Sequence, residues 1–260
     1  MAGRITTEVD GHIGWLVVDQ PERRNAVSLE MWQQLPDAAA RLDADDAVRV
    51  VVVRGAGEEA FVAGADISQF EARRTGDGAA AYEAATTAGY GALAAITKPT
   101  IAMIHGPCVG GGLAIALTAD LRITADDGRF AIPAAKLGLG YGINGIETLE
   151  RLVGPSRTKE IFFTARLFDA VEAHAMGLVN AVHPKADLED AVRGIAAQIA
   201  RNAPLTVRSV KYLTGQVLRP RAERDDAGIR ASVDGCFASE DYREGVRAFL
   251  EKRRPEFRGR

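Results

Sequence analysis

Up to about Val171 the chain alternates short β-branched runs with stretches whose apolar positions return at helical spacing. Ile13 to Asp19 and Arg49 to Arg54 are two such runs. The second is almost continuously apolar, which predicts strands buried on both faces. Between them Ser28 is placed to cap a helix reaching about Leu42, with Pro36 as an irregularity inside it. Pro99 to Ile104 predicts another strand, which runs into a glycine cluster and then a helix over Leu113 to Ala119. Leu121 to Thr124 and Arg129 to Ile132 predict two more short strands. The Ala/Gly-rich stretch Gly76 to Ala95 predicts a mobile start and a helix later. Beyond Val171, Leu188 to Asn202, Leu205 to Val217 and Glu240 to Arg253 read as helices with little strand between them. The pattern is therefore α/β, with strand–helix repeats first and a mainly helical C-terminal portion after them, and the division into a core and a helical region is expected at 1–195 and 196–260. The strand spacing is too irregular to name a solenoid or barrel from periodicity.

Composition narrows the partners. With 260 residues, 47% of them apolar and 26% charged, the chain can build a sizeable core. A net charge of -3 argues against a chain-wide nucleic-acid or anionic-membrane partner. The longest apolar tract, Pro99 to Ala119, holds His105, Pro107 and four glycines, so it reads poorly as a membrane span. Two cysteines, Cys108 and Cys236, are too few for a disulfide framework, and no apolar leader follows Met1. A cytoplasmic setting is the expectation. His12, His174 and His183 show no ligand spacing with one another or with the cysteines, so no metal is expected.

The chemistry concentrates at His105-Gly106-Pro107-Cys108-Val109-Gly110-Gly111-Gly112-Leu113, where a strand gives way to a helix. Glycines let a backbone approach a ligand closely, and the first N–H groups of a helix lack internal partners. With the helix dipole behind them they suit an anion or a developing oxyanion. No Gly-Lys-Ser/Thr follows, which excludes a P-loop; Ile115 stands where a dinucleotide fingerprint from Gly110 needs glycine. No Gly-x-Ser-x-Gly elbow occurs. Close strand–helix packing is the competing explanation of these glycines.

A second loop, Glu59-Ala60-Phe61-Val62-Ala63-Gly64-Ala65-Asp66-Ile67, follows the strand at Arg49 to Arg54. Together the two loops resemble the signature loops of the enoyl-CoA hydratase/isomerase (crotonase) superfamily. So do Gln20-Pro21-Glu22-Arg23-Arg24-Asn25-Ala26, Lys98-Pro99, Ala119-Asp120-Leu121-Arg122, Leu149 to Gly154, Gly177 to Asn180 and Phe249 to Arg253, in order along nearly the whole chain. The resemblance implies a crotonase-like spiral of ββα turns with a C-terminal helical trimerisation region, assembling as a homotrimer or dimer of trimers. It implies an acyl-CoA thioester as substrate, with coenzyme A as part of that substrate and no separate cofactor. Carried over, Ala65 N–H and Gly111 N–H form an oxyanion hole for the thioester carbonyl. Ala63, Asp66 and Ile67 line the adenine and pantetheine path, Arg24 and Ala26 help hold the nucleotide, and Lys252 reaches a CoA phosphate or stays a solvated charge.

Family hydratases carry two acid/base glutamates, and here the matching positions are Ala114 and Ala134. An acid or base is worth about 10²–10⁴ in rate, and an oxyanion-hole donor about 10²–10³. The surviving machinery therefore suits stabilisation of a thioester enolate, and decarboxylation of a malonyl-type acyl-CoA generates one without a base. Lys136 to Ile146, followed by Lys159 to Ala165, resembles the methylmalonyl-CoA decarboxylase branch, whose tyrosine aligns with Tyr141 and orients the carboxylate to be lost. That branch has histidine at Ala65 and glutamate at Ala114. The alternatives are a 2-enoyl-CoA hydratase or isomerase with non-standard acid/base groups, and a non-catalytic acyl-CoA binder. Glu147 reads as a surface or interface charge or a substitute base, Asn144 as a turn residue or substrate donor, and His105 as a satisfied loop histidine ahead of a catalytic one. Asp120 and Arg122 read as a structural pair, and Cys108 as a packing residue.

Overall fold

The structure, a computed structural model, describes residues 3–65 and 77–260. Among these residues one sheet has the order β1 (Arg4–Asp10), β2 (Ile13–Asp19), β3 (Val50–Gly55), β4 (Thr100–Ile104), β6 (Leu121–Ala125), β9 (Ala181–His183). Strand β1 runs antiparallel to β2, from Arg4 opposite Asp19 to Asp10 opposite Ile13; the other pairs are parallel. The continuous apolar runs lie where both sheet faces are covered, and every residue of β4 is buried. The polar strand β1 was not foreseen: its residues are exposed or half-buried at the sheet edge, so no apolar run marks it. A smaller sheet joins β5 (Pro107–Val109), β7 (Arg129–Ala131) and β8 (Phe168–Asp169).

Alternation along the parallel strands feeds two cores. On one face Leu16, Val18, Val51, Val53, Ala102 and Ile104 meet helix α1 (Leu29–Ala44) through Trp32, Leu35 and Leu42. Helix α2 (Asp77–Ala95) packs on α1, and α3 (Gly111–Thr118) packs on α2. On the other face Ile13, Trp15, Val50, Val52, Ile101 and Met103 meet Leu188, Val192, Ala196 and Ala200 of α7 (Leu188–Ala200). Helix α7 spans residue 195, and the next helix is α8 (Pro204–Val217).

Helix α1 begins as its cap foretold: Ser28 Oγ accepts the Met31 amide at 3.3 Å. It runs through Pro36 to Ala44. The remaining helices are α4 (Ala134–Leu137), α5 (Ile143–Thr164), α6 (Ala170–Ala175), α9 (Asp226–Ala238) and α10 (Glu240–Leu250). Helix α5 breaks at Gly154, whose φ of 76° is non-helical, just before Pro155. Helix α9 went unread because none of its residues is fully buried, which leaves a weak periodic signal. Among the described residues Asp120 and Arg122 share no hydrogen-bonded ion pair, although the Asp120 charge acts on the Arg122 guanidinium. Asp120 instead accepts from Thr100 and Lys211, and the buried Arg122 guanidinium donates to the carbonyls of Leu178 and Ala119. The buried cation there is satisfied by orphan carbonyls, with the Asp120 charge supporting it at longer range.

Candidate active site

Three loops converge where the sheet strands end. Asn25, buried and at φ 57°, locks the first of them. Its Nδ2 donates to Ala60 O at 2.8 Å and Ala56 O at 3.1 Å, while Oδ1 accepts the Gln20 amide at 3.0 Å. Asparagine tolerates this left-handed backbone better than most residues. The second loop is then laced to the first: Ala63 N–H donates to Arg24 O at 3.0 Å, and Val27 N–H to Gly64 O at 2.9 Å. It is laced equally to the third. Phe61 N–H donates to His105 O, Val62 N–H to Pro107 O, and Val109 N–H back to Val62 O. Gly110 N–H donates to Ala131 O at 2.8 Å, tying the glycine loop to the small sheet.

This lacing brings Arg24, Ala26, Ala63, Ala65 and Gly111 into one neighbourhood. Gly110, at φ 55°, turns the chain into α3, so Gly111 is the first helical residue. A Cβ on Gly112 would stand 2.1 Å from Val62 O, so glycine there is a steric requirement. Gly111 differs. The point where its Cβ would stand lies 3.4 Å from Tyr90 Oη, 3.5 Å from Trp32 Cζ2 and 3.7 Å from Ala65 N, all ordinary contact distances. Among the described residues neither Ala65 N–H nor Gly111 N–H donates to a backbone carbonyl. Two adjacent donors, one of them at a helix N-terminus, are suited to a carbonyl oxygen that gains negative charge.

The two positions that the resemblance matches to acid/base glutamates carry methyl groups. Ala114 lies one turn into α3, its amide donating to Gly110 O at 3.0 Å. Ala134 is buried at the start of α4, and the preceding Pro133 comes within 3.9 Å of the Cβ point of Gly110. Tyr141 is half-buried, its ring edge-on to Phe162 at 4.8 Å. That ring lies 2.7 Å from the Cβ point of Gly145, so glycine at 145 lets it sit there. Glu147 is exposed and pairs with Arg151 at 2.6 Å, which makes it a surface charge. Cys108 is buried, and burial pushes its thiol well up, which removes it as a nucleophile. His105 is buried with Nδ1 unpartnered among the described residues, unlike the satisfied histidine expected, and burial holds its pKa below the usual imidazole value. Lys252 stands exposed just past α10 with left-handed backbone, and no contact among the described residues joins it to the loops. Asp66 and Ile67 lie outside the described residues, as does the Asn144 side chain. Among the described residues no group of three His, Cys, Asp or Glu side chains could hold a metal ion, and no helix is long and apolar enough to cross a membrane.

Sequence reasoning missed Trp32 and Tyr90. The buried Trp32 donates from Nε1 to Tyr82 Oη at 3.2 Å and meets the Tyr90 ring edge-on at 4.7 Å. Tyr82 and Tyr90, eight residues apart, fall near the same helical face of an otherwise small-residue segment, and that was the available signal.

Known proteins share this arrangement over nearly its whole length. The family model described as enoyl-CoA hydratase/isomerase matches residues 8–260. The chain is 34% identical to the crotonyl-CoA hydratase of Syntrophomonas wolfei over 260 residues, covering 97% of each chain. It superimposes with a TM-score of 0.93 on an enoyl-CoA hydratase/isomerase family protein of Hyphomonas neptunium, at 36% identity and 98% coverage of both chains. An enoyl-CoA hydratase/carnithine racemase structure from Magnetospirillum magneticum gives a TM-score of 0.92 at 35% identity, over 98% of this chain and 96% of that one.

Proposed function

The chain belongs to the enoyl-CoA hydratase/isomerase family, and from that premise we propose that it stabilises the enolate of an acyl-CoA thioester between Ala65 N–H and Gly111 N–H. The observation that carries this reading is the 3.7 Å approach of the Gly111 Cβ point to Ala65 N, at the first residue of α3. Arg24, Ala26, Ala63, Asp66 and Ile67 then follow the nucleotide and pantetheine, Lys252 meets a CoA phosphate, and the working form is a homotrimer or dimer of trimers in the cytoplasm.

The reaction follows from what surrounds the hole. Ala114 and Ala134 occupy the positions where the family's hydratases carry glutamate, and a methyl group neither holds nor moves a proton. Decarboxylation of a malonyl-type acyl-CoA needs no base. The bond from the α-carbon to the carboxylate breaks, carbon dioxide leaves, and the electron pair enters the enolate that the two N–H groups hold. Tyr141 orients the departing carboxylate in this reading. Hydration of a 2-enoyl-CoA is the second reading, favoured by the relative named crotonyl-CoA hydratase; it requires an acid/base group other than a carboxylate at 114 or 134.

Purified protein given crotonyl-CoA and methylmalonyl-CoA in parallel, with products followed by mass spectrometry, decides between them. Propionyl-CoA without 3-hydroxybutyryl-CoA is the expected result, slowed about tenfold or more by Tyr141→Phe. Fast hydration with no carbon dioxide release overturns the first reading.

A further inference from the structure

An enolate formed between two N–H groups still has to receive a proton at carbon, and the two alanines supply none. Of the three atoms nearest the Cβ point of Gly111, only Tyr90 Oη, at 3.4 Å, belongs to a polar side-chain group. Its position is fixed from behind: the Tyr90 ring lies edge-on to Trp32 at 4.7 Å and 65°, and Trp32 is buried and hydrogen-bonded to Tyr82. Helix α2, which carries Tyr82 and Tyr90, thus presents a hydroxyl beside the N-terminus of α3 and the Ala65 N–H. We propose that Tyr90 is a catalytic residue, the proton donor to the α-carbon of the enolate; the proposal rests on the enolate reading of Ala65 and Gly111.

The step balances. The enolate electron pair forms the new Cα–H bond with the Tyr90 proton, the thioester carbonyl reforms, and the phenolate left behind takes a proton from water. A neutral phenol carries a transferable proton, so the group acts here as a donor rather than a base. Such a group can quench an enolate delivered to it by loss of carbon dioxide. It is poorly suited to activating water, so hydration would need a separate base beside it.

The test runs native protein, Tyr90→Phe and Gly111→Ala with methylmalonyl-CoA in deuterium oxide, scoring the rate and the configuration of deuterium at C2 of propionyl-CoA. In parallel, the absorbance shift of bound hexadienoyl-CoA reports polarisation of the thioester carbonyl. Native protein is expected to deliver deuterium to one face. Tyr90→Phe should slow product formation about 10²-fold and scramble the label, while keeping the absorbance shift that Gly111→Ala loses. Unaltered rate and configuration in Tyr90→Phe overturn the donor role alone. Loss of the absorbance shift in Tyr90→Phe also overturns it, since the residue would then be building the hole. No labelled propionyl-CoA from native protein overturns the decarboxylation reading and the donor role with it.

Discussion

At the scale of single residues, two neighbouring glycines do different work, and their contacts separate fold from chemistry. A methyl on Gly112 would overlap Val62 O at 2.1 Å, so Gly112→Ala has to push apart the two loops that the site is built on. An overpacking cost of about 1–3 kcal/mol is expected, visible as a lowered urea midpoint. A methyl on Gly111 meets its neighbours at 3.4 to 3.7 Å, and Gly111 is an ordinary helical position, so Gly111→Ala should leave the midpoint nearly unchanged. That methyl stands beside both N–H donors, and turnover should drop about 10²-fold or more. Equal stability losses in the two variants would mean that Gly111 is there for packing. The close approach of the glycine loop was legible in the sequence because glycine spacing records where a backbone must come close, whereas the choice of Ala65 and Gly111 as the two donors came from the family resemblance. Tyr90 was not legible. A tyrosine in an Ala/Gly-rich helix looks like core, and only the packing of α2 against α1 and α3 decides what its hydroxyl faces.

At the scale of elements, the placement of Trp32 and Tyr90 depends on how α1 is held at its far end. The carbonyl end of α1 meets Lys98, buried between α2 and β4, whose Nζ donates to Leu42 O at 2.9 Å and Asp45 O at 2.5 Å. An ammonium group at the negative end of a helix satisfies orphan carbonyls and opposes the dipole. Burial lowers its pKa, with the nearby Asp43 carboxylate acting the other way. Lys98→Met keeps much of the stem but leaves those carbonyls unpaired, so a loss of about 2–3 kcal/mol in urea unfolding is expected. A change under about 0.5 kcal/mol would show that water replaces the ammonium without penalty. Elements were readable where burial is two-sided or a cap is explicit, as in β3, β4 and α1. The edge strand β1 and helix α9 left no such trace, because a partly exposed element needs no continuous or strongly periodic apolar pattern.

At the scale of the whole molecule, the two faces of the sheet are closed, but the C-terminal helices are not. Helix α10 leaves Phe249 83% and Leu250 74% exposed, and Tyr242 and Val246 share a groove with Leu250 on the same helix. Phe237, on α9, stacks edge-on against Tyr242 and is itself exposed. Scattered surface apolar residues need no explanation, but a set gathered on adjoining helices is the kind of surface that a second protein covers. Its charged neighbours, Arg247, Arg253 and Glu244, are already paired among themselves, with Glu244 held far below its usual pKa by Arg253 and Arg247. Covering the patch with another copy therefore buries carbon without stranding these charges. Light scattering on the purified chain should give a multiple of the 27.7 kDa monomer, three or six copies being the expected sizes. Val246→Asp with Leu250→Asp places carboxylates in the groove, and desolvating them should shift the population to monomer while leaving the sheet core folded by circular dichroism. A native chain that is monomeric at tens of micromolar would refute the self-association reading. A double variant that stays assembled would place the interface on another face. Because Lys252 follows α10 directly, the same variants also probe how far thioester binding depends on assembly. Weaker binding on dissociation would support a role for Lys252 that depends on assembly, and unchanged binding would argue that one chain binds alone.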